Sequence, residues 1–90
     1  GVVRVLVGVD EATDQVLNVK ILNHAETPGL GSRIEEEGFR SQFAGKTVDD
    51  PITVNQDIQI ISGATISSRA VADAVREGLQ DTVRIYRGGE

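Results

Sequence analysis

The chain opens on an alternation that leaves it little conformational choice. In VVRVLVGV, residues 2–9, Val3, Val5, Val7 and Val9 recur at every second position, with Val2, Arg4, Leu6 and Gly8 between them. A period of two places the first set on one face of an extended strand, and β-branched side chains suit that state. Residues 16–24, VLNVKILNH, alternate again. Leu17, Val19 and Ile21 are expected on one face, and Asn18 and Lys20 on the other. The linking DEATDQ is polar. Two short alternating runs joined by a polar turn predict an antiparallel hairpin with one covered face.

The other end of the chain has a different period. After SGATISS, residues 62–68, the positions Ala70, Val71, Ala74, Val75, Gly78 and Leu79 recur at helical spacing. This predicts an amphipathic helix of about four turns, which Val83 and Ile85 can extend before RGGE frays. In between, Thr27-Pro28 fits an N-cap followed by proline at the first helical position. Leu30 and Ile34 share one helical face, Phe39 and Phe43 another, and the intervening Gly38 predicts two short helical turns with a break. KTVDDP reads as a loop, and ITV and IQII as short strands separated by NQD. The expected class is α+β: a small antiparallel sheet, short helical turns after the first hairpin, and one longer helix following SGAT.

Ninety residues make one domain, 1–90, with a core that hides about 60–65% of the unfolded surface. The hydrophobic share of 39% with only 3% aromatics makes that core aliphatic. A net charge of −5 repels nucleic acid and anionic lipid. With no cysteine and a single histidine, disulfides, thiol nucleophiles and a histidine-based zinc site drop out. No apolar run is long enough to span a bilayer. The start at Gly1, directly in a strand, leads us to expect a fragment, with any membrane anchor or further domain lying outside it.

Two segments can carry chemistry. In SGATISS, Gly63 permits a turn that a side chain would obstruct, Ala64 is small, and a helix follows directly. Helix N-termini present unpaired N–H groups and the positive end of the helix dipole, which suits a phosphate. Ser62, Thr65, Ser67 and Ser68 add hydroxyls. The competing reading is that Ser67 or Ser68 is only an N-cap. The second segment, HAETPGLG at 24–31, holds the histidine, an acid and a Gly-Leu-Gly turn between a strand and a short helix. Its plain reading is an ordinary strand-to-helix connection. Neither segment matches a dinucleotide fingerprint or a Walker loop.

Read in order, HAETPGLG, FRSQFAGK and SGATISSRAV resemble the FMN-binding domain family, which includes the G subunit of the Rnf complex and the C subunit of the sodium-pumping NADH:quinone oxidoreductase. The resemblance runs from about Asn18 to about Leu79. It implies an electron-transfer domain with no catalytic residue and no metal site of its own. It also implies covalent FMN, esterified through its phosphate to the threonine that closes the S/T-G-A-T motif, here Thr65. Ser62, Gly63 and Ala64 would line the phosphate end. His24, Glu26, Thr27, Leu30 and Gly31 match the other motif and would lie near the isoalloxazine ring. A separate, metal-dependent flavin transferase would attach the flavin, with FAD as donor.

The partners implied are that transferase and the other subunits of a membrane redox complex, with no nucleic acid. The location implied is the extracytoplasmic face of the cytoplasmic membrane, reached through a segment outside this fragment. One departure stands out. The family's motif usually carries an acid six residues before the threonine, where this chain has Gln59. The nearest acid, Asp57, is two residues further upstream and would need a local shift to substitute. Two alternatives share the fold: a module holding flavin or another phosphate ligand non-covalently, or not at all, within a larger membrane or surface protein, and the flavin domain of a larger flavin-dependent reductase.

Overall fold

The computed structural model describes residues 3–24 and 37–88. Its class is α+β, as the periodicities predict. Strands β1 (Val3–Asp10) and β2 (Gln15–His24) form a two-stranded antiparallel sheet. A short helix α1 (Glu37–Arg40) runs into a 3₁₀ turn, Ser41–Phe43. After an irregular stretch comes the long helix α2 (Thr65–Val83), continued by a π turn at Arg84–Gly88. Among the described residues no helix is long and apolar enough to cross a membrane.

The hairpin face is set by two bulges that the alternation does not reveal. Val7 pairs with Val19 and Gly8 with Asn18, but Val9 then pairs with Val16, so Leu17 has no partner in β1. A similar shift between Arg4 and Val5 leaves Leu22 unmatched. An extra residue on one strand locally resets the period of two. The inner face of β2 is therefore Val16, Val19 and Ile21, and Leu17, expected inside, is 58% exposed where Val16 is 1% exposed. The β1 alternation holds: Val5, Val7 and Val9 pack against the core, and Leu6 is exposed.

The core lies between this face and α2, which contributes Val71, Ala72, Val75 and Leu79. Gly78 of α2 faces Val7 of β1. Phe39 and Phe43, both buried, meet edge to face with centroids 5.6 Å apart, a favoured aromatic geometry. Gly38, expected to separate this pair from Leu30 and Ile34, lies inside α1, and the change of helix type comes at Ser41. The turns expected around Thr27-Pro28, Leu30 and Ile34 fall outside the described residues.

ITV and IQII do not form strands. Ile52, Val54 and Ile58 are buried, but the segment folds back on itself with only an isolated bridge between Val54 and Ile58. The cause is Asp57. Its carboxylate accepts the N–H of Ile52 at 3.0 Å and of Thr53 at 2.9 Å, and Ile52 and Asn55 take φ of 45° and 68°. Backbone donors spent on a side chain are lost to a sheet ladder. The tail is anchored as well. Tyr86 donates to Asp14 Oδ1 and Arg87 Nε donates to Asp14 Oδ2 at 2.7 Å, so the part of RGGE that is described does not fray.

Candidate functional site

The SGAT segment is a tight turn that delivers its threonine to the start of α2. Gly63 has φ 83°, a left-handed conformation open to glycine at no steric cost. The N–H of Ala64 donates to the Ile61 carbonyl at 2.8 Å, closing the turn, and the N–H of Ser68 reaches the Ala64 carbonyl at 2.9 Å, opening the helix. Ala64 is thus the N-cap, and an alanine offers no side-chain cap. Ser62, Gly63 and Thr65 are exposed, and Ala64 is buried.

The serines behave differently from N-caps. Ser67 and Ser68 lie inside the first helical turns and are buried. Ser68, with no exposed surface, accepts the N–H of Ile61 on its hydroxyl at 3.1 Å. It pins the helix to the residue that precedes SGAT, a role that cap statistics do not suggest. Thr65 is left as the outward hydroxyl of the first turn, which carries no acidic side chain. The N–H groups there point away from the helix and carry its positive dipole end, with no carboxylate in the turn itself to compensate it.

The approach to this turn has its own support. The side-chain amide of Gln42 pairs with the backbone of Gln59 in both directions: Gln59 N–H donates to Oε1 at 2.7 Å, and Nε2 donates to the Gln59 carbonyl at 3.1 Å. Beside this pair, Gly38, Phe39 and Gln42 line an open groove of about 260 Å³ with Gln59, Ile60 and Ile61. The groove joins the residues just after HAETPGLGSRIEE to those just before SGAT. No sequence signal points to Gln42, because an amide that mimics a strand partner has no periodic or motif signature.

Gln59, at the position where the family's motif usually has an acid, has an exposed side chain. Asp57, the nearest acid upstream of it, is engaged elsewhere. Besides its two backbone donors, its carboxylate pairs with Lys46 Nζ at 3.1 Å. Burial works against the ionised form, but the N–H of Thr53, the Lys46 ammonium and the N–H of Ile52 outweigh it and hold the carboxyl below the usual carboxylate range. A local shift would break all three contacts.

Of the HAETPGLG motif, His24 is the last residue of β2, its backbone opposite Val3. Glu26, Thr27, Leu30 and Gly31 lie outside the described residues. Among the described residues no group of three or more acids or histidines is arranged to hold a metal.

A phosphate-bearing group fits the SGAT turn. The open backbone at Gly63, the missing side-chain cap, the absence of a first-turn acid and the outward Thr65 hydroxyl all favour an anion there.

Comparison with known proteins points the same way. The chain is 38% identical over its whole length to the G subunit of the proton-translocating ferredoxin:NAD(+) oxidoreductase complex of Clostridium ljungdahlii, covering 50% of that protein. It is 37% identical to the G subunit of the ion-translocating oxidoreductase complex of Methanosarcina acetivorans, over 88% of this chain and 43% of the relative. The corresponding protein of Cereibacter sphaeroides is 39% identical, over 88% of this chain and 40% of the relative. The chain thus spans half or less of the length of these relatives. The family profile described as FMN-binding domain matches residues 1–80, and the chain belongs to the FMN-binding domain family.

Proposed function

We propose that this domain is an electron carrier whose FMN is esterified through its phosphate to Thr65. The observation that carries the reading is the position of Thr65: an exposed hydroxyl on the first residue of α2, directly after the Gly63 turn, with no side-chain cap from Ala64 and no acid in its turn. A phosphodiester there would put its negative charge at the favourable end of the helix dipole. Ser62, Gly63 and Ala64 would surround the phosphate. His24, Glu26, Thr27, Leu30 and Gly31 would approach the isoalloxazine ring.

The attachment needs an outside enzyme. The first turn of α2 carries no acid to serve as a base, and the two acids nearest in sequence, Asp57 and Asp73, are engaged elsewhere. In the transfer, a bond forms between the Thr65 oxygen and the flavin-side phosphorus of FAD. The pyrophosphate bond to that phosphorus breaks, AMP leaves, and the threonine proton is released. No oxidant or reductant is consumed. Once attached, the flavin supplies the redox chemistry, and the protein supplies position, polarity and shielding.

The relatives are named as subunits of ion-translocating oxidoreductase complexes. We infer the same setting for this domain: a membrane-associated redox complex, on the extracytoplasmic side, exchanging electrons with other subunits. The test is intact-mass analysis of protein co-produced with a flavin transferase. The expected result is a mass increase of FMN minus water, mapped to Thr65 and absent in Thr65→Ala. An unmodified mass in wild type under those conditions overturns the covalent reading. A yellow protein whose colour is lost on denaturation and filtration points instead to non-covalent binding.

A further inference from the structure

We propose that Arg69 is the positioning residue for the charge of the Thr65 phosphodiester; the inference rests on the attachment reading above. Thr65 and Arg69 are four residues apart in α2, so they are neighbours on one helix face. Side chains lean toward the helix N-terminus, which puts the turn of Thr65 within reach of a long side chain at 69. Both residues are exposed.

The surrounding ion pairs leave Arg69 available. The carboxylate one turn further along α2, Asp73, is taken by Arg76 at 2.8 Å. Arg76 is itself held in place by the carbonyl of Ile52 at 3.1 Å. Lys46, Arg84 and Arg87 are paired with Asp57, Asp81 and Asp14. Arg69 has no hydrogen-bond or ion-pair partner among the described residues. It borders an open groove with Thr53, Val54 and Asp73. In a chain of net charge −5, an unpaired guanidinium one turn from the attachment hydroxyl is a local excess of positive charge. Its planar donors match two phosphate oxygens. The helix dipole and Arg69 would then hold the diester from two sides and fix the direction in which the flavin leaves the helix.

The test is a thermodynamic cycle on four purified species: wild type and Arg69→Gln, each unmodified and with FMN attached. The unmodified pair is expected to melt alike. Attachment is expected to raise the melting temperature of wild type by about 2–5 °C more than that of Arg69→Gln. High salt should erase the difference by screening, and Arg69→Lys should restore part of it. The phosphorus-31 resonance of the diester should also move between wild type and Arg69→Gln. Equal temperature increments at low salt, with the adduct mapped to Thr65 in both proteins, overturn the role of Arg69 and leave the attachment reading standing. An adduct that is absent or maps to another residue overturns both.

Discussion

The hydroxyl of Ser68 accepts the backbone N–H of Ile61 across 3.1 Å, and this bond ties the first turns of α2 to the chain just before SGAT. Ser68 has no exposed surface, so water cannot take over the bond. Ser68→Ala should cost about 1–3 kcal/mol, the penalty for a stranded backbone donor. A urea denaturation curve with an unchanged slope and a lower midpoint would register it. A midpoint equal to wild type would mean that the turn holds its shape without this bond.

Thr65 sits three residues before Ser68 but faces solvent. In the unmodified protein, Thr65→Ala should shift stability by no more than about 0.5 kcal/mol. The same denaturation measurement separates the two positions. Ser68 supports the turn, and Thr65 is presented by it. A large loss from Thr65→Ala would give the threonine a structural role that its exposure does not suggest.

The bulge at Leu17 makes two adjacent residues respond in opposite ways. Val16→Ala should destabilise by roughly 1–3 kcal/mol, since a fully buried side chain is truncated. Leu17→Gln should be nearly neutral. A strand without the bulge would reverse the order, so the pair of variants tests the register directly.

Asp57 makes the irregular segment acid-sensitive. Its carboxyl is held below the ordinary range against the cost of burial. A group with a depressed folded pKa contributes stability above its unfolded value of about 3.9, and that contribution is lost as pH falls through the folded value. Urea midpoints should therefore be flat near neutrality and drop below about pH 4. Asp57→Ala should be less stable at neutral pH, by about 1–3 kcal/mol for the stranded Ile52 and Thr53 donors, with a shallower acid loss. Parallel acid limbs in the two proteins would assign the sensitivity to other carboxylates.

Tyr86 is the single tyrosine of a chain without tryptophan, so its ionisation can be followed cleanly by ultraviolet absorbance. The hydrogen bond it donates to Asp14 pushes its pKa up to about 12. Stability from this contact should be present below the unfolded pKa of about 10 and fade as pH rises through the folded one. In Asp14→Ala the titration midpoint should return toward about 10. A wild-type midpoint already near that value would show that the tail is not docked on the hairpin turn.

The elements written in a repeating period could be read directly. The alternation at 3–9 is a strand because period two with β-branched residues has one good solution, and the spacing at 70–79 is a helix for the matching reason. The order of HAETPGLG, FRSQFAGK and SGATISSRAV carried the family, and with it the flavin, since motif chemistry is local. Tertiary structure decided what depends on pairing between distant segments. The two bulges expose Leu17 and bury Val16 because β1 dictates which residues of β2 face the core. Asp57 turns ITV and IQII into a folded-back loop because a carboxylate competes for backbone donors that a pattern of apolar residues takes to be free. Ser68 became an internal brace, and Ala64 the cap, because the Gly63 turn returns the chain to Ile61. The sequence by itself determined the two periodic elements and, through its motifs, the family; only the folded chain turns Thr65 outward, because the buried Ser68 hydroxyl is spent on Ile61 in the turn that precedes it.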